Sequence, residues 1–125
     1  MDKFKNVDTM EENKEKNLVS IGDFMKFDIR VAEILAAEKL EKSNKLMKLQ
    51  VTLGEELGDR QILAGIAKFY PAEELIGKKI AVIANLEPAK LAGEESQGML
   101  MAADGSDGEI ILLNPESAPA GSKIC

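Results

Sequence analysis

From Phe27 the chain alternates. Phe27, Ile29 and Val31 are apolar, and Asp28, Arg30 and Ala32 fall between them, the period of two expected of a half-buried strand. Continued alternation would put Glu33 inside, yet Ile34 and Leu35 are the apolar residues there. The pattern therefore predicts a bulge or sharp bend near Ala32–Glu33. A second strand is expected over Lys45–Leu53, with Met47, Leu49, Val51 and Leu53 on one face and Lys48, Gln50 and Thr52 on the other. Gly54–Asp59 reads as a turn and Arg60–Ile66 as a third strand. Pro71 then opens a short helix, A-E-E-L-I, that Gly77 closes; Pro at the start and Gly past the end are the usual punctuation. A fourth strand follows over Lys78–Leu86, with Ile80, Val82 and Leu86 on one face, and a fifth over Met99–Ala103. The turn D-G-S-D-G, residues 104–108, leads into a further strand, Glu109–Leu113.

Three strands, a short helix and two or three more strands is the layout of an OB-fold. The expected fold is therefore all-β: a five-stranded barrel with a helix between strands 3 and 4 and a C-terminal β extension. A bent first strand suits the coiling that barrel closure needs. Ahead of it, Ser20 and Asp23 resemble a capping box, predicting a helical turn through Phe24 and Met25. Residues 1–17 mix charges without apolar periodicity and read as a flexible tail or linker, leaving residues 18–125 as the domain. Residues 85–98 read as a polar turn between strands.

Composition narrows the chemistry. The 125 residues contain one Cys, at the last position, and no His, which excludes a disulfide framework, a zinc centre and Cys–His catalysis, and fits the cytoplasm. No apolar run approaches the ~20 residues of a membrane span, and nothing resembles a signal peptide. Ser96 has no His to activate it, and D-G-S-D-G lacks the length and terminal Glu of a calcium loop. No catalytic constellation, metal site or cofactor motif is present.

The formal charge of −6 argues against a non-specific nucleic-acid binder, but its distribution is uneven. Residues 18–70 hold 8 cationic and 8 acidic side chains, whereas residues 71–125 hold 4 and 9. Within the neutral part, Lys39, Lys42, Lys45 and Lys48 stand against Glu41 alone over residues 39–48. These lysines have two readings: ordinary solvated charges around a polar turn, or a cationic surface flanking the first barrel loop, which OB-folds use with strands 2 and 3 to hold oligonucleotides. Arg60 and Lys68 would extend that surface. Aromatic residues for stacking are few; Met99, beside Gly98, offers a soft apolar surface instead.

Across Ser20–Ile124 the sequence resembles the EMAP-II-like transfer-RNA-binding domains, in the form found at the C-terminus of methionyl-tRNA synthetases and as a separate beta subunit. The residues that carry the resemblance are F-M-K-F-D-I-R-V-A-E-I (24–34), E-K-S-N-K-L-M-K-L-Q-V-T-L-G (41–54), R-Q-I-L-A-G-I-A-K-F-Y (60–70), E-E-L-I-G-K-K-I-A-V-I-A-N-L-E-P-A-K-L (73–91) and S-Q-G-M-L-M-A-A (96–103). It implies a non-catalytic module that binds tRNA by shape and backbone and assists aminoacylation by the catalytic part of methionyl-tRNA synthetase. It also implies a homodimer formed with the segment before strand 1 and the extension from Glu109. Asn85, Ser96, Gly98 and Met99 fall in the RNA-contacting signature, with Lys45, Lys48, Arg60 and Lys68 as cationic neighbours. Turn chemistry alone is an equal account of Asn85 and Gly98. Ala92 stands where relatives often carry a basic residue and Glu94 where they carry an aliphatic one, so binding is expected to be weak and salt-sensitive. The competing expectation is a CsaA-like dimeric chaperone for unfolded polypeptide.

Overall fold

The structure is a computed structural model that describes residues 17–125. All but the last residue of the expected 1–17 tail lies outside the described residues. Ser20 caps the first element, helix α1 (Ile21–Phe24), its hydroxyl accepting from the Asp23 amide at 3.0 Å, as the capping-box spacing predicts. Strand β1 (Ile29–Lys39) is long and bent. Its buried positions shift from Ile29 and Val31 to Ala32 and Ile34, and its pairing register slips between Ile34 and Ala36. The burial pattern breaks at Val31–Ala32, close to the anticipated position, whereas the slip in pairing lies beyond it, between Ile34 and Ala36.

That bend lets β1 serve two partners. Its first half, Ile29–Glu33, pairs antiparallel with β4 (Lys79–Ile83), and its second half pairs with β2 (Met47–Thr52). A helical turn α2 (Gly54–Leu57) joins β2 to β3 (Asp59–Ala64), where the sequence predicted only a turn. Met47, Leu49 and Val51 point inward in strict alternation and are fully buried. Helix α3 (Ala72–Leu75) begins after Pro71 and is followed by Gly77 at φ 88°, and its Leu75 joins the core completely buried.

After β4 the chain departs from the expected simple turn. It forms a small hairpin, β5 (Ala89–Leu91) with β6 (Glu94–Ser96), turning at Ala92 and Gly93, both with positive φ. The expected fifth strand is split into β7 (Met99–Leu100) and β8 (Ala102–Asp104); between them the Met101 amide donates to the Ala81 carbonyl. Strand β9 (Ile110–Leu112) completes a hairpin with β8. The main sheet runs β3-β2-β1-β4-β7.

Closure between β3 and the β6–β7 junction relies mostly on side chains. The Ser96 hydroxyl accepts from the Leu63 amide and donates to the Gly98 carbonyl, both at 3.0 Å. Gln97 accepts from the Gln61 amide and returns its own amide to the Gln61 carbonyl. Five antiparallel strands thus form a nearly closed OB-like barrel. The C-terminal segment then returns to β1: the Gly121 amide donates to the Val31 carbonyl and the Ile124 amide to that of Ile29. Gly121 sits so tightly that a Cβ would lie 2.6 Å from the Leu53 carbonyl oxygen. Two inward assignments fail. Phe27 and Leu86 are exposed, because β1 and β4 pair only from Ile29 to Glu33 and Lys79 to Ile83, and both residues lie beyond that ladder.

Candidate nucleic-acid interface

One end of the barrel is ringed with lysines. The loop between β1 and β2 carries Lys42 and Lys45, with Lys39 at its edge. The Ala67 amide donates to the Lys45 carbonyl at 3.0 Å, which brings the segment after β3, and with it Lys68, beside the same loop. The loop is held by Ser43, whose hydroxyl accepts from the Lys45 and Leu46 amides. Lys39, Lys42, Lys45 and Lys68 are all exposed, and none has a carboxylate within ion-pair distance among the described residues. These four cations stand without ion-pair partners on a protein whose formal net charge is −6.

Lys48 differs from its neighbours. It rises from the outer face of β2, half-buried, with Glu38 Oε1 at 3.6 Å and Glu94 Oε1 at 3.8 Å. Glu94 belongs to the β5–β6 hairpin, so this pair of contacts ties the hairpin across the outer sheet face. A cleft of about 220 Å³ lies between the lysine loop and the hairpin tip, lined by Lys39, Lys42, Lys48, Glu38, Glu41, Ala92, Gly93 and Glu94 among others. Its three cations face three carboxylates. Of the loop lysines, Lys39 and Lys42 also line this cleft, whereas Lys45 and Lys68 lie outside it.

The remaining expected contacts scatter. Arg60 stands opposite inward-facing Val51, and its guanidinium donates to the Ala84 carbonyl at 2.7 Å, capping the end of β4. It lies about 13 Å along β3 from the lysine loop, at ~3.3 Å per residue. Asn85 is also engaged in the fold: its Oδ1 accepts from the Asp28 amide at 2.9 Å and its Nδ2 donates to the Lys26 carbonyl at 2.7 Å. It staples the segment before β1 to the end of β4. Ser96 is only 4% exposed, and its hydroxyl makes the two hydrogen bonds that close the barrel. Gly98 has φ 135°, and a Cβ there would meet the Ile83 carbonyl oxygen at 2.9 Å; backbone geometry accounts for it. Met99 is half-exposed beside that junction. The structure thus gathers Lys45, Lys48 and Lys68, and gives Arg60, Asn85, Ser96 and Gly98 roles in the fold.

Sequence reasoning passed over a row of amides. Gln50 on β2 faces Gln61 on β3, Nε2 to Oε1 at 3.0 Å, and Gln61 Nε2 donates to the Glu95 carbonyl at 2.8 Å. The outward face of β2 was already legible as Lys48, Gln50, Thr52; the cross-strand partners were not. Among the described residues no cluster of three metal-ligating side chains occurs, and no helix is long and apolar enough to cross a membrane.

Comparison with known proteins supplies context for this geometry. A family model described as "Putative tRNA binding domain" matches residues 29–123. A methionine–tRNA ligase of Methanococcus aeolicus is 54% identical over 115 residues, covering 90% of this chain and 16% of the ligase. The chain thus spans about one sixth of the length of the curated relatives it matches. Among solved structures, a MetRS-related protein from Pyrococcus horikoshii superposes with a TM-score of 0.80 at 42% identity, covering 87% of this chain and 99% of that one. A CsaA chaperone protein from Picrophilus torridus also gives 0.80, at 32% identity, covering 86% and 100%.

Proposed function

This chain belongs to the tRNA-binding domain family, and on that premise we propose that it is a non-catalytic module that binds transfer RNA and assists aminoacylation by methionyl-tRNA synthetase. The observation that carries the reading is the ring of four unpaired lysines, Lys39, Lys42, Lys45 and Lys68, at the first barrel loop. Each is placed to displace counterions from a phosphate. Lysines present point charges on flexible stems, which suits recognition by backbone and shape rather than by base sequence. A compact barrel without its own catalytic groups raises the local concentration of tRNA near the enzyme body it serves, in the cytoplasm.

The segment ahead of β1 supports a second part of the proposal, self-association as a homodimer. Leu18, Val19, Ile21 and Met25 are 59–76% exposed, and Phe24 and Phe27 are partly so. So many apolar side chains within ten residues is unusual for a free surface. Two copies would double a weak phosphate-binding loop.

The same apolar segment favours the alternative, a chaperone for unfolded polypeptide, as does the likeness to CsaA. A mobility-shift assay with tRNA separates the readings. Wild type shifts tRNA at low salt, and Lys45→Glu/Lys68→Glu weakens the shift while light scattering still finds the same oligomer. Suppression of aggregation of an unfolded protein, equal in both forms and without any tRNA shift, would favour the chaperone.

A further inference from the structure

The outer face of β1–β2 holds a concavity that the lysine loop does not explain. It measures about 280 Å³ and is bounded by Ala36, Ala37, Glu38, Lys48 and Gln50. Its floor is low because Ala36 stands directly opposite Gln50 in the register, so a methyl lies where a longer side chain would fill the space. The polarity of its amide is fixed by logic. The Glu95 carbonyl can only accept, so the atom 2.8 Å from it is Gln61 Nε2. Gln61 Oε1 therefore faces Gln50, and the Gln50 atom 3.0 Å away must be its Nε2. This leaves Gln50 Oε1, at the edge of the concavity, without a hydrogen-bond partner among the described residues. On the neighbouring position Glu38 presents a carboxylate, while Lys48 is compensated by Glu38 and Glu94. The concavity thus offers acceptors over an apolar floor and no net positive charge, the opposite of a phosphate site.

We propose that this concavity is a base-reading subsite for an unpaired nucleotide whose base carries an exocyclic amine. The amine donates its two hydrogens to Gln50 Oε1 and to the Glu38 carboxylate. The base plane lies against Ala36, and the stem of Lys48 closes one side. The phosphates on one side run toward Lys45, five residues from Gln50 and about 17 Å away at ~3.3 Å per residue, with Lys68 beside the same loop. That separation is within the span of roughly 4–16 nucleotides that one OB-fold covers. A recognition element built from one amide and one carboxylate imposes a modest base preference on otherwise shape-driven binding. The inference rests on the tRNA-binding reading.

Fluorescence anisotropy with the intact chain and 12-nucleotide oligo(C) and oligo(U) RNA at neutral pH tests it, with whole tRNA titrated in parallel. Cytosine presents an amine where uracil presents a carbonyl. Wild type should prefer oligo(C) about threefold to tenfold, the range that one net hydrogen bond commands. Gln50→Leu should erase that preference with the salt dependence unchanged, and Ala36→Leu should erase it by filling the floor while leaving the amides in place. Lys45→Glu/Lys68→Glu should weaken both oligonucleotides and keep their ratio. If tRNA binds and wild type does not distinguish the oligonucleotides, or if the preference survives in both Gln50→Leu and Ala36→Leu, the subsite is overturned while the tRNA reading stands. If neither tRNA nor either oligonucleotide binds, both fail together.

Discussion

Replacing Ser96 with Ala separates closure of the barrel from contact with RNA. The Ser96 hydroxyl is buried and makes two hydrogen bonds, accepting from the Leu63 amide and donating to the Gly98 carbonyl. Truncation leaves the Leu63 amide, itself on a buried residue, without its partner at the seam between β3 and β6. An unsatisfied buried donor costs about 1–3 kcal/mol, and the second lost bond adds about 0.5–1.5 kcal/mol. Some of this is recovered where water reaches the partly open Gly98 carbonyl, so we expect a loss of about 2–3 kcal/mol. For a domain of this size that lowers Tm by about 10–15 °C. Urea titration followed by circular dichroism would read it as a lower midpoint with an unchanged slope. Binding of tRNA to the folded fraction, measured well below the variant's Tm, should stay within about twofold, a change of under 0.5 kcal/mol. Stability unchanged to within about 0.5 kcal/mol, together with tenfold weaker tRNA binding, would refute the closure role and make Ser96 an RNA contact.

Glu94→Gln removes a carboxylate 3.8 Å from Lys48 and should release that lysine to phosphate. Because the pair is half-exposed, its contribution is at most about 1 kcal/mol. Affinity for tRNA in a low-salt filter-binding assay should therefore rise by at most about fivefold, since Glu38 at 3.6 Å still pairs with Lys48, and the gain should vanish near 0.5 M salt as screening removes it. Gly121→Ala forces a Cβ to within 2.6 Å of the Leu53 carbonyl at φ 91°, a clash that the C-terminal segment relieves only by leaving β1. Hydrogen exchange should then show lost protection at the Val31 amide, which donates to the Ser122 carbonyl, with β2 and β3 unaffected.

The barrel was legible because its inward positions follow strict alternation. Met47, Leu49 and Val51 could face only one way, and the break in that pattern at Ala32–Glu33 announced the bend of β1. Punctuation by Pro71 and Gly77 located helix α3. The β5–β6 hairpin was hidden because Ala89–Leu91 and Glu94–Ser96 are too short to show a period, and the first residue of its turn is Ala92 at φ 51° where Gly or Asn would have marked it. Phe27 and Leu86 continue an alternation past the point where pairing stops, which sequence alone does not mark. For the site, clustering along the chain revealed the lysine loop. Whether each polar residue was free depended on contacts far away in sequence: Arg60 on Ala84, Asn85 on Lys26 and Asp28, Lys48 on Glu94. Those contacts give Arg60, Asn85 and Lys48 partners within the fold that no local pattern announces.

If the lysine loop holds the phosphates of tRNA, the salt dependence of tRNA affinity distinguishes wild type from Lys45→Glu/Lys68→Glu. Four phosphate contacts at ~0.7–0.9 counterions each give a slope of log K against log salt near −3, and an affinity loss of about 60-fold between 50 and 200 mM. The double variant should show a slope shallower by about two and weaker binding at every salt. Equal slopes for the two proteins, or tRNA binding that ignores salt, would mean that the phosphates of tRNA are held elsewhere.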